Sequence, residues 1–142
     1  MKKIFAFILL VTPLLAAQNG AANEHVSAIV TSPDTIFQSG PADIVVLFTP
    51  REGIHINTVP VFEFHLEKNS PFELAGPPKF QKNEKGYLKS ETPVTFSVKV
   101  KSGTRPGKNE LKGSLTYFFC SDKEGWCQRY SQKVAATAEI SK

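Results

Sequence analysis

The chain has 142 residues, 21% of them charged and 41% hydrophobic, with a formal charge of +4 and two cysteines. That length suits one domain with its own core and is too short for several. After the first residues no stretch approaches the roughly 18 apolar residues of a spanning helix, which excludes a transmembrane segment in the mature chain.

The chain opens on Met1-Lys2-Lys3, then an apolar run from Ile4 to Leu15 broken only by Thr12-Pro13, then Ala16-Ala17 before polar Gln18-Asn19. A basic start, a short apolar core and small residues at its end form a secretory signal peptide over residues 1–17. A cut after Ala21 or Ala22 is the alternative, and no cysteine stands nearby to carry a lipid anchor. The reading predicts an exported, soluble, periplasmic protein with residues 18–25 as a flexible leader. Loss of Lys2 and Lys3 lowers the formal charge from +4 to +2.

From residue 26 onward the apolar period is two. Val26 to Thr31 is a short β-branched run, and residues 43–49 form a longer one. In residues 61–67, Phe62, Phe64 and Leu66 fall on one face and Glu63, His65 and Glu67 on the other. Residues 94–100 alternate likewise, and the runs 111–119 and 128–140 complete the set. Breaks carrying Pro and Gly separate them at Ser39-Gly40-Pro41, residues 49–53, residues 75–78 and residues 104–107. Seven to nine short strands with turns between them, and no helical period, predict an all-β antiparallel sandwich over residues 26–142.

Charge is uneven along the chain. Residues 79–112 hold nine Lys/Arg against three Glu, a local +6. Because lysines alternate with valines in Val98-Lys99-Val100-Lys101, this reads as the solvent face of a strand rather than a nucleic-acid surface. An acidic protein partner is the other reading. Phosphate-loop and Gly-x-Ser-x-Gly motifs are missing. His25, His55 and His65 stand at no metal-ligand spacing from either cysteine, so no metal and no cofactor is expected, and His55 and His65 are placed on polar strand faces.

The chemistry gathers at Cys120 and Cys127, which bracket the turn Ser121-Asp122-Lys123-Glu124-Gly125-Trp126 between two strand-like runs. An even cysteine count in an exported chain implies a disulfide. Closing so short a loop stabilises by about 2.5 kcal/mol, which a domain of this size does not need in order to fold. Two uses stay open: a redox pair, and a structural bridge pinning a hairpin. Lys123 and Arg129 supply positive charge that favours a thiolate, while Asp122 and Glu124 oppose it. Trp126 is read either as an exposed aromatic at the sulfurs or as a ring packed over the sandwich edge.

The run Gly53-Ile54-His55-Ile56-Asn57, a Pro-rich middle, a Pro-Gly turn and then Leu111-Lys112-Gly113-Ser114-Leu115-Thr116-Tyr117-Phe118-Phe119-Cys120 resemble the N-terminal periplasmic domain of the thiol:disulfide interchange protein DsbD. The resemblance covers roughly residues 26–140. It implies an immunoglobulin-like fold and a protein-disulfide reductase component that passes electrons between a membrane thiol reductase and periplasmic thioredoxin-fold proteins. Cys120 and Cys127 would then be the redox pair, with Cys127 attacking the partner. Residues 84–90 would be a cap loop, with Gly86 in its turn and Tyr87 as the aromatic that shields the sulfurs. The spacing of the cysteines is longer than in that family, and Gln128-Arg129-Tyr130 stands where Pro-Pro is common. The rival function is a non-catalytic immunoglobulin-like binding or assembly module.

Overall fold

In the computed structural model residues 20–142 are described, so the signal peptide expected over residues 1–17 lies outside the described residues. The strands are β1 (Gly20–Ala22), β2 (Val26–Thr31), β3 (Thr35–Phe37), β4 (Ala42–Pro50), β5 (Ile54–Ile56) and β6 (Glu63–Leu66), then β7 (Phe72–Leu74), β8 (Val94–Val100), β9 (Gly107–Ser121) and β10 (Trp126–Ser141). Nine lie within residues 26–142, as the alternation predicts, and no helix occurs among the described residues. The tenth, Gly20–Ala22, falls within the expected leader and pairs antiparallel with residues 27–29 of β2.

Two sheets form, one in the order β1-β2-β4-β8-β7 and the other β3-β10-β9-β5, with β6 also on β9. Pairing is antiparallel with one exception, β3, which runs parallel to the end of β10. Period-two burial explains why the sheets face each other. In β8, Val94, Phe96 and Val98 are buried while Lys99 is exposed and pairs with Glu73 at 3.2 Å. Phe62 and Phe64 are buried and Glu63 and His65 exposed, as their alternation predicts. Phe48, Phe62, Phe96, Leu115, Tyr117 and Phe119 fill the space between the sheets. Each such side chain contributes about 1.5–3 kcal/mol by leaving water.

The longest pair in the molecule is β9 with β10, in register from Trp126↔Ser121 to Ile140↔Gly107. On its other edge β9 receives two short strands, β6 along residues 113–116 and β5 along residues 119–121. The β6 backbone lies so close that a Cβ on Gly113 would stand 2.3 Å from the His65 carbonyl oxygen. Only glycine fits there. The chain then leaves β5 at Asn57, crosses a cis Val59–Pro60 bond, and returns as β6.

Candidate functional site

Strand pairing brings the cysteines together. Cys120 of β9 and Cys127 of β10 are directly opposed, with Cα atoms 4.0 Å apart and their sulfurs bonded. The turn between them spans residues 122–125. Gly125 supplies the left-handed residue (φ +71°) that closes it, and its N–H donates to the Ser121 carbonyl at 2.9 Å. The Ser121 hydroxyl oxygen accepts from the Glu124 N–H at 3.2 Å. An L-residue with a side chain adopts that conformation only with strain.

On the far side of β9, β5 sets His55 opposite Cys120. Opposed residues share a face, and so do residues two apart, so His55, Asn57, Cys120 and Cys127 all project outward from this sheet. Ile56 and Phe119 project inward and are buried. The Asn57 N–H donates to the Phe118 carbonyl at 2.9 Å, which extends the pairing one residue past β5. Its side-chain Nδ2–H donates to Cys120 Sγ at 3.3 Å, while its Oδ1 is buried and unpartnered. His55 Nδ1 lies 3.4 Å from the exposed carboxylate of Asp122 in the turn. The two cysteines differ as residues: Cys120 is only 6% exposed, whereas Cys127 is exposed.

A separate loop closes over this face. Asn83 Oδ1 accepts the N–H groups of Lys85 and Tyr87, both at 3.0 Å, and Gly86 turns the chain at φ +83°. Leu88, 3% exposed, anchors the loop in the core, and its N–H donates to the Ile56 carbonyl at 2.9 Å. The Thr58 hydroxyl donates to the Gly86 carbonyl at 2.7 Å. The Tyr87 ring stacks on His55, with centroids 3.6 Å apart and planes 16° from parallel. Through that imidazole the loop is joined to Asp122 and the cysteine turn.

Trp126 lies half-buried beside Cys127. It packs edge-on against Phe119 at 6.0 Å and beneath His25 at 4.8 Å. Its indole N–H donates to Glu124. The ring is therefore packed over the sandwich edge while still bordering the sulfurs. Asn23 Oδ1 accepts from the N–H groups of His25 and Val26, and Asn23 Nδ2–H donates to the Tyr117 hydroxyl at 3.1 Å. Burial pushes the Tyr117 hydroxyl pKa well above the usual phenol range; the neighbouring Tyr130 adds to this and the Asn23 bond opposes it.

Together these residues line an open cleft of about 520 Å³, formed by His55, Asn57, Gly86, Tyr87, Trp126 and both cysteines with their neighbours. All five residues singled out from the sequence, Cys120, Cys127, Gly86, Tyr87 and Trp126, therefore meet in one place. Sequence reasoning left His55 as a polar-face residue and gave Asn57 no role. Their signal was the alternation His55-Ile56-Asn57, which puts both on one face; what that face meets is set by pairing with a strand more than sixty residues on. Among the described residues no group of three or more His, Cys, Asp or Glu is arranged to hold a metal ion, and no helix is long and apolar enough to cross a membrane. Comparison with protein-family models, curated proteins and solved structures returns no match.

Chemically, a disulfide that borders an open cleft, with Cys127 the exposed residue of the pair, can be attacked by a thiolate from outside. Exchange proceeds through a mixed disulfide on the attacked atom, while the other sulfur departs. The cleft is open enough for a sulfur on another protein's surface, and Val59, 78% exposed, gives its rim an apolar residue.

Proposed function

We propose that this protein is an exported, periplasmic thiol–disulfide exchange domain acting on thioredoxin-fold protein partners or a membrane thiol reductase through Cys120 and Cys127. The placement of the disulfide in an open cleft beside the loop of residues 83–88, with Cys127 the exposed residue of the pair and Cys120 the buried one, supports this reading. Reduced Cys127 attacks a partner disulfide and forms the mixed disulfide; Cys120 then attacks Cys127 and releases the partner as a dithiol. Two electrons pass from the domain to the partner, and the reverse order reduces the domain. Tyr87 and Gly86 act as the cap that limits access between encounters. The basic start and apolar run of the first residues support export. Two facing sheets, with the early strand β3 on the edge of the second, support an immunoglobulin-like arrangement.

The rival reading, an inert bridge in a binding module, has less to recommend it. The β9–β10 register already holds the hairpin over its whole length, so the sandwich does not depend on a bridge at the tip in order to fold. The deciding experiment is a Cys120→Ser variant incubated with periplasmic extract and with purified thioredoxin-fold oxidants. A mixed disulfide through Cys127, cleaved by reductant, is expected. Absence of any such adduct, with the variant folded, rejects exchange.

A further inference from the structure

Every attack on this disulfide leaves one sulfur holding an electron pair. Cys127 is the exposed residue of the pair and Cys120 the buried one; when an incoming thiolate bonds to Cys127 Sγ, Cys120 departs as a thiolate. Negative charge appearing on a buried sulfur is costly unless something donates to it. One donor is already in place: Asn57 Nδ2–H, 3.3 Å from Cys120 Sγ.

The orientation of that amide is informative. A sulfur in a disulfide carries no proton, so only the N–H end of the amide can bond to it. Facing that way leaves Oδ1 buried without a partner. The arrangement gains most when the sulfur is charged, because a donor to an ionised acceptor is roughly twice as strong as a neutral one. The amide is also held in advance of the reaction. Its backbone is bonded to Phe118, and it sits between buried Ile56 and buried Thr58. A donor fixed where charge will develop needs no reorganisation at the moment of transfer.

Resting on the exchange reading above, we infer that Asn57 is a catalytic residue of this site: its amide N–H stabilises the Cys120 thiolate. The step balances. The thiolate of an incoming protein dithiol forms a bond to Cys127 Sγ; the Cys120–Cys127 bond breaks, and its electron pair goes to Cys120, held by Asn57. The second thiolate of the same dithiol then displaces Cys127, so the dithiol is oxidised and both cysteines are reduced. In the opposite direction, the same N–H keeps Cys120 deprotonated and ready to resolve a mixed disulfide on Cys127. The titratable and charged groups facing this point are His55 from β5, Tyr87 and Lys85 from the cap, and Asp122 from the turn, all lining the cleft.

The test uses Cys127→Ser, in which Cys120 is the sole thiol, with thiolate formation followed by ultraviolet absorbance against pH. Adding Asn57→Leu is expected to raise the pH of half-ionisation by about one unit. Adding Asn57→Asp, which keeps the shape and places a carboxylate at the sulfur, raises it further. With both cysteines present, Asn57→Leu slows reduction by dithiothreitol about threefold, as expected for a poorer leaving thiol. Circular dichroism checks folding; if the leucine variant does not fold, Asn57→Ala, which removes the same donor with less bulk, takes its place with the same rise expected. An unchanged or lowered half-ionisation pH overturns the assignment. Neither readout involves a protein partner, so failure here is separate from failure to trap a mixed disulfide.

Discussion

Two side-chain amides in the described structure bury an unpartnered oxygen, Asn57 at the cleft and Gln132 between the sheets. Their accounts are alike and their surroundings are not. Gln132, 4% exposed, donates from Nε2 to the Ala28 carbonyl at 3.2 Å and so ties β10 to the opposite sheet. Its partner is backbone that never changes chemical state. Asn57 donates to a sulfur that can lose a bond and gain a charge. The same incomplete hydrogen bonding is a fixed cost in the interior and a source of differential stabilisation at the cleft, because only there does the acceptor change. The interior is expected to answer to stability measurements, and the cleft to reactivity.

Removing both sulfurs gives the largest effect among the variants that separate the two regions. Cys120→Ala with Cys127→Ala is expected to cost about 2.5 kcal/mol in urea unfolding and to leave a folded sandwich, since the core lies on the other face of the sheet. Failure to fold would make the bridge a staple and erase the distinction. A smaller effect is expected at the interior amide. Gln132→Leu should cost about 1 kcal/mol and leave the rate of reduction by dithiothreitol unchanged. A change in that rate comparable to the one at Asn57 would show that the two amides are not functionally different.

The smallest effect concerns pH. Burial keeps Tyr117 protonated beyond the range in which an exposed phenol ionises, near pH ~10. The unfolded chain loses that proton first, so its contribution is intact below about pH 10 and declines as pH rises through the folded value. Tyr117→Phe should lose the Asn23 bond at neutral pH yet fall less steeply in stability than the natural protein at high pH, as read by unfolding midpoints on either side of pH ~10. Equal slopes would mean that burial does not hold this hydroxyl neutral.

Much of the sandwich was legible because period-two alternation is local: Phe62 and Phe64 face inward and Glu63 and His65 outward, as written in their order. The parallel docking of β3 on β10 was not, because nothing within three residues specifies a partner at the far end of the chain. The pairing of residues 20–22 was not legible for a similar reason. Gly20-Ala21-Ala22 carries no strand-like pattern and is paired through its neighbour β2. At the cleft, the cysteines declared themselves by scarcity and by the turn between them. His55 and Asn57 did not, since a polar residue in a strand reads the same whether it faces water or a sulfur.

The even register of the cysteine hairpin also leaves its turn free to vary. The cysteines are aligned by the strand pairing on the core side of the turn, so residues can be added to or lost from residues 122–125 without moving Cys127 from its place opposite Cys120. Growth by matched pairs, one residue on each arm, preserves the alignment and projects the tip further from the sheet. A single added residue lengthens the loop and leaves Cys127 opposite Cys120, because the register is held by the pairs further along the two strands. Length variation at this tip therefore changes how far the turn reaches toward a docking protein while the sulfurs stay in place.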